Sequence, residues 1–383
     1  MTLSHFYLEM RSVLAHVKRF LAVFALLSEP LTACSNEPTL VTVPQVLLTR
    51  TSMPEPSGIV WSPTLSRYLI VSDDTGSKEN GTNHAPWLFA MSRDGVFDSA
   101  PIPILGLDKL NDAEAICPGP AGSYFLATSH SANRKGQDKA KRRRLYQLAV
   151  DGRALKILGS VDLASAIAES GVIGSSSVDI EALAFQEGAL YVGLKSPQNS
   201  VGAAYILRIP EVLPALKEGA LPAGRIQIFA ELPLSVAGAD GKVLQGISDM
   251  SFLPDGSLVI LANSPKKMPP DGGGAAWLRK RDGSLHMLRR FLGLKPEGVT
   301  VTHDGRSLVI VFDNDRKQPL WIHLPLPIAA NHPAGKQHPY RAIYGTKSLL
   351  RTGISSPPWR VATTPVIERY ILPTVGNAVA PAG

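Results

Sequence analysis

One passage recurs through the chain and constrains the fold more than any other feature. Its fullest form is VDIEALAFQEGALYVGLKSP, residues 178–197: an acidic pair, a short apolar run, a turn, a second apolar run and a second turn. Looser copies begin at Pro56 (PSGIVWSPTLSRYLIVSDDTG), Asn111 (NDAEAICPGPAGSYFLATSHSAN), Gly246 (GISDMSFLPDGSLVILANSP) and Lys295 (KPEGVTVTHDGRSLVIVFDND). Each sets a polar residue before two or three apolar ones, then a Pro, Gly or Asp turn, then a β-branched and aromatic run. That is the pattern of a hairpin whose strands alternate or are fully buried.

The polar position lines up as Ser57, Glu114, Glu181, Asp249 and Glu297, at intervals of 48 to 68 residues. Such a spacing suits one four-stranded propeller blade with variable loops. The intervals hold further strand candidates. These are RLYQLAV and LKILGSV after the second copy, AAYILRIP and RIQIFAEL after the third, and AWLRK and LHMLRRF after the fourth. The fifth copy has one clear follower, PLWIHLPL, so an outer strand is missing there. The segment TLVTVPQVLLT, Thr39–Thr49, is the candidate to supply it, closing the ring with both ends of the chain and removing its open edges. The expectation is an all-β propeller over residues 39–327 with five four-stranded blades, or six if a degenerate copy is present.

Helical periodicity is scarce, and VDLASAIAES is one short candidate. A composition of 44% hydrophobic residues with 33 Gly and 31 Pro fits a turn-rich β chain with a substantial core. After Pro327 the repeat stops. Residues 328–383 lack periodicity and read as a poorly ordered, basic, Pro-containing tail.

The N-terminus carries Arg11, Lys18 and Arg19, then the apolar run FLAVFALL, then LTAC ending at Cys34. This order has the layout of a secretory signal over residues 1–33. Leu31-Thr32-Ala33-Cys34 resembles the bacterial lipoprotein box, which implies cleavage before Cys34 and lipid attachment to its thiol. The expected address is the periplasmic side of a bacterial membrane, with Met1 and Met10 both open as the start. The apolar run is far shorter than the roughly 20 residues a spanning helix needs. Cys117 is then the one other cysteine, set in an apolar run, and reads as a core residue.

The formal charge of +7 is unevenly placed. RKGQDKAKRRR, residues 134–144, holds seven basic groups and one acid, and the tail from Ile328 holds six and one. The remaining body is mildly acidic, which argues against nucleic acid as a partner. The basic loop reads either as a solvated connection or as a surface for lipid headgroups.

Four passages together resemble a known family. These are ATSHSANRKGQDKAKRRRLYQL, VDIEALAFQEGALYVGLKSP, GISDMSFLPDGSLVILANSP and KPEGVTV, in that order between about Pro56 and Asp315. They are similar to motifs of the bacterial family built on domain of unknown function 3616. The resemblance implies a β-propeller related in style to phytase-like and gluconolactonase-like propellers, and it implies no established activity. The sequence departs from the family pattern with Ala182 in place of Gly, and with Lys195 and Ser248 in place of Arg. Lys195 supplies charge but lacks the bidentate fork of an arginine.

In a propeller the innermost strand of each blade lines the channel. Glu114, Glu181, Asp249 and Glu297, with Ser57, should therefore meet at one mouth, where four carboxylates repel strongly. Protons, basic side chains or a hard cation such as Ca²⁺ would offset that repulsion, the last taking six to eight oxygen ligands. The alternative is that each acid caps its own hairpin by accepting backbone N–H bonds. The second turns bring a further set to one face: Asp73, Asp74, Ser129, His130, Lys195, Asn263, Asp313 and Asp315. Lys195, Asp73, Asp74 and Asp313 are candidate ligand-binding residues. His130 is the candidate general base, because its side chain titrates near neutrality. GxSxG and HExxH are absent, which argues against a serine hydrolase or zinc peptidase. Two functions remain in view. One is a monomeric lipoprotein binding a small-molecule or protein ligand at the channel mouth. The other is a metal-dependent hydrolase of phosphate or lactone esters.

Overall fold

The computed structural model describes residues 37–73, 75–131, 140–174, 177–239, 241–264, 273–315 and 317–326. The leader, Cys34, Asp74, residues 134–139 of the basic loop and the tail lie outside the described residues.

The chain opens with β1 (Thr39–Leu40) and α1 (Gln45–Arg50), then lays down its blades in order. Blade 1 is β2 (Pro56–Ser62), β3 (Arg67–Ser72), β4 (Trp87–Met91) and β5 (Ile102–Leu105). Blade 2 is β6 (Ala113–Pro118), β7 (Ser123–Thr128), β8 (Arg144–Asp151) and β9 (Ala154–Asp162), followed by α2 (Leu163–Ser170). Blade 3 is β10 (Asp179–Gln186), β11 (Ala189–Gln198) and β12 (Ala204–Pro210), then α3 (Val212–Glu218) and β13 (Gln227–Leu232). An extra hairpin, β14 (Ser235–Gly238) and β15 (Gly241–Leu244), leads to blade 4: β16 (Gly246–Phe252), β17 (Leu258–Asn263), β18 (Gly273–Arg279) and β19 (Leu285–Leu292). Blade 5 is β20 (Lys295–Val301), β21 (Ser307–Asp313) and β22 (Leu320–Pro325), and β1 pairs antiparallel with β22 as its fourth strand.

The innermost strands neighbour one another in the order β2, β6, β10, β16, β20 and back to β2. The protein is therefore a closed five-bladed propeller, with the N-terminal strand completing the last blade. Five apolar clusters fill the five interfaces between neighbouring blades. That arrangement explains why β2, β7 and β17 are buried along their whole length and read as continuous apolar runs. Each is covered on both faces by other blades, whereas outer β13 is largely exposed. The inner pairs are joined by turns of two to six residues, the tightest in blade 3. Glu187 and Gly188, at φ +51 and +78, form the type I′ loop that matches the twist of β10 and β11. The outer strands of blades 1 and 2 pair in parallel through Ile104 and Leu155, which covers two edges at once.

The closing segment differs from the expected long strand. Among the described residues only Thr39 and Leu40 pair with Leu320 and Trp321, and residues 45–50 are helical. Pro44, at φ −62, ends the extended run, and its carbonyl accepts Leu47 N and Leu48 N to start the helix. Between these pieces Thr42 bridges in parallel to Val96, so the segment joins blade 5 to blade 1. At the same seam Gly95, at φ +74, lies against the Trp321 ring, where a Cβ would come within 2.2 Å. The one expected helix forms as α2. Asp162 accepts from Ser165 N at its start, and Gly171 at φ +66 ends it.

Candidate functional site

A single feature recurs in all five inner hairpins. The ladder slips between Pro56 and Gly58, Ala113 and Ala115, Ile180 and Ala182, Ile247 and Asp249, and Pro296 and Gly298. Each slip is a bulge, and the extra residue leaves the ladder and re-aims its side chain. The five bulged residues are Ser57, Glu114, Glu181, Ser248 and Glu297.

The fourth position corrects the sequence alignment, which placed Asp249 in the ring. Asp249 is the residue after the bulge, equivalent to Gly58, Ala115, Ala182 and Gly298. One step along a strand reverses the face, so Asp249 turns into the joint between blades 4 and 5. It is fully buried, accepting Met250 N at 2.8 Å and Val299 N at 2.7 Å. Burial pushes its carboxyl well above the usual range, and the two N–H bonds pull it back. The capping alternative describes this residue, with the cap reaching across two blades. Ser248 stands in the ring position and donates to Pro296 O at 2.7 Å.

Around the ring lies a cavity of 800 Å³ walled by residues from all five blades. Eight acidic side chains line it: Glu55, Asp73, Asp112, Glu114, Asp179, Glu181, Glu297 and Asp313. Three basic ones accompany them, Arg142, Lys195 and Lys295. The bases are already engaged with acids. Lys195 Nζ lies 2.9 Å from Glu181 Oε1. Lys295 Nζ lies 2.6 Å from Asp313 Oδ2 and 3.5 Å from Glu297 Oε1. Arg142 is paired with Asp112 and donates to Ser129 and Ser131. Burial alone would lower Lys195, but Glu181, Glu297 and Glu114 around it raise it, so its charge persists through neutral pH. Burial raises Glu297, while Lys195 and Lys295 pull it back.

Glu114 is the exception. It has no ion-pair partner among the described residues. Burial, with Glu181 and Asp73 facing it, holds its carboxyl well above the usual range. Burial raises Glu181 too, to about 8 although Lys195 pulls it down, so the site holds carboxyls shifted toward their neutral form, two of them faced by lysines. Among the described residues, no three acidic, His or Cys side chains converge closely enough to hold a metal ion. The offset to carboxylate repulsion visible here is supplied by lysine, arginine and protonation.

Of the second-turn residues, Asp73, Lys195, Asn263 and Asp313 line the cavity, while Ser129, His130 and Asp315 do not. Asp74 lies outside the described residues. His130 is 5% exposed, with its backbone N–H donated to Arg142 O and its Nδ1 against Thr128 O. Burial pushes its imidazole down to about 4, so the ring is neutral at pH 7 and set behind the wall. That placement removes it from direct reach of anything held in the cavity.

Sequence reasoning missed Arg142, Asp112, Asp179 and Lys295. Arg142 belongs to the basic loop read as surface, yet it turns inward. Asp179 and Lys295 share one repeat position, opposite Ser196 and Asp313 in their hairpins, so the charge is reversed between blades 3 and 5. Aligning the residue two before each bulged glutamate would have revealed that reversal.

No family model matches the chain. No curated protein matches it either. Solved propeller-type structures do. An endo-arabinase from Bacteroides thetaiotaomicron is 15% identical, covers 76% of this chain and 99% of its own, with a TM-score of 0.43. A mannose phosphorylase from Leishmania mexicana is 12% identical, with 82% and 95% covered and a TM-score of 0.43. A protein described as a putative gluconolactonase is 15% identical, with 77% and 93% covered and a TM-score of 0.38. The likeness is one of architecture and says nothing about what this chain binds.

Proposed function

We propose that the channel mouth is a binding site for a small polar ligand, in an exported, lipid-anchored propeller of the kind the 3616-family resemblance implies. The observation that carries this reading is the 800 Å³ cavity to which every blade contributes charged or polar side chains. Pockets of this size accommodate small organic ligands. Burying carboxylates is costly unless they are used, and four of the five blades deliver them to one place. The order of basic residues, apolar run and LTAC supports the anchor. A metal-dependent hydrolase is the weaker reading, since His130 lies behind the wall and no metal cluster forms among the described residues.

A thermal-shift screen of the purified protein tests the binding reading. The panel would hold amines, neutral sugars, phosphate and Ca²⁺, because a ligand bound only by the native state raises the melting temperature. A rise that is lost in Glu114→Gln or Glu297→Gln supports the site, and the absence of any rise overturns it. Cys34→Ser should leave the protein in the soluble extract and abolish labelling by palmitate. Labelling that survives the substitution overturns the anchor.

A further inference from the structure

Two buried acceptors on the cavity wall have nothing to accept from the described residues. Glu297 is 6% exposed, and its Oε2 has no hydrogen-bond partner among them. Asn263 is 3% exposed, and its Oδ1 has none either. The two flank one peptide. Asn263 Nδ2 donates to Pro296 O at 3.0 Å, and Glu297 follows Pro296 in the chain. That bond also fixes which end of the amide faces away from Pro296. Leaving a buried carboxylate oxygen and an amide oxygen unsatisfied is costly, and both call for a donor. The nearest cation, Lys295, is held on Asp313 and on the other oxygen of Glu297.

The charge around these acceptors has one sign in excess, eight acidic side chains to three basic ones already engaged. An anion entering would meet that excess directly, and the three bases there, Arg142, Lys195 and Lys295, each already face an acid of the wall. A bare divalent cation would need three or more converging ligands, which the described residues do not supply. A third feature points to carbon. Leu244, on the hairpin between blades 3 and 4, lines the mouth and is 42% exposed, a contact that an organic molecule uses and an ion does not.

We propose that the cavity takes an organic cation, a small molecule bearing a protonated amine. Its N–H groups bond Glu297 Oε2 and Asn263 Oδ1, and its carbon skeleton packs on Leu244. This rests on the binding reading of the channel mouth and gives the ligand its class. Glu114, without an ion-pair partner among the described residues, is placed to accept from or donate to hydroxyls on the same molecule.

The test is isothermal titration of the purified protein with spermidine, glucosamine, glucose, inorganic phosphate and calcium chloride. Binding of spermidine or glucosamine, with glucose at least about tenfold weaker than its amino counterpart, is the expected result, as a charge-assisted hydrogen bond is worth about that much. Glu297→Gln keeps the volume, and it should weaken the amine about tenfold while the circular dichroism spectrum stays unchanged. Leu244→Ser, at an exposed rim position that folding does not require, should weaken spermidine about threefold. Binding of glucose, phosphate or calcium with no binding of either amine overturns the cation class and leaves the binding site standing. Amine binding that Glu297→Gln and Leu244→Ser both leave unchanged places the amine elsewhere and overturns the assignment. No binding of any probe overturns this inference together with the reading of the cavity as a site.

Discussion

Asp249 and Glu181 come from the same motif in adjacent blades, and they end in opposite surroundings. Glu181 occupies the bulge, faces the cavity and meets Lys195 at 2.9 Å. Asp249 follows the bulge, faces the joint between blades and is saturated by two backbone N–H groups. One residue of register separates a group with an exchangeable partner from one that ties the ring together. Glu114 extends the comparison, sharing the register of Glu181 without its lysine.

The largest effect should come from Asp249→Ala. It strands Met250 N and Val299 N in a dry joint, and the loss should be about 3 kcal/mol in urea denaturation. Asp249→Asn keeps an acceptor and should cost about 1 kcal/mol. Equal losses for the two would mean that the staple does not depend on acceptance by the side chain.

Lys195→Met should come next. It leaves Glu181 buried without its ammonium, and since Lys195 is partly exposed the loss should be about 2 kcal/mol at pH 9, where Glu181 is ionised in the wild type. The sign with pH follows from Glu181. Without Lys195 its folded pKa rises further above the unfolded value, so the mutant is relatively most stable when the carboxyl is protonated. Because Glu181 is already raised to about 8 in the wild type, the deficit should be small below that pH and grow as pH rises through it. A deficit that is constant with pH would point to lost packing instead.

Glu114→Gln should give the smallest change and the opposite sign. Glu114 is raised in the folded state, so its contribution is full below the unfolded glutamate value and is lost as pH rises through the folded one. Glutamine removes that loss. The mutant should match wild type near pH 4 and become increasingly the more stable of the two as pH rises toward 9. Melting temperatures across this range would check it, and a wild type that stays the more stable at pH 9 would show that Glu114 is held as a carboxylate.

Much of the architecture is legible in the residues because hairpin pattern and blade spacing are local. The run lengths, the turns at Glu187–Gly188 and the missing fourth strand after PLWIHLPL all lie within short windows. Register is less so. Aligning the copies on the acid put Asp249 with Glu181, while aligning on the small residue after the bulge would have exposed the offset, because Gly58, Ala115, Ala182 and Gly298 stand where Asp249 does. The helix at 45–50 was hidden for a similar reason, since Val46, Leu47 and Leu48 suit a strand until Pro44 sets the backbone.

The sequence by itself determined the repeat, a count of five or six blades, the N-terminus as the candidate for closure and three of the glutamates in the ring, since each follows from spacing along the chain. The tertiary structure alone decided which charges meet. Lys195 on Glu181, Lys295 between Glu297 and Asp313, and Arg142 turned in from a basic loop depend on side-chain direction after a bulge and on blades brought together by ring closure. His130 shows the same limit from the other side. Its residue type suggested a base, but burial behind the cavity wall, which no local pattern encodes, keeps its ring neutral and away from the site.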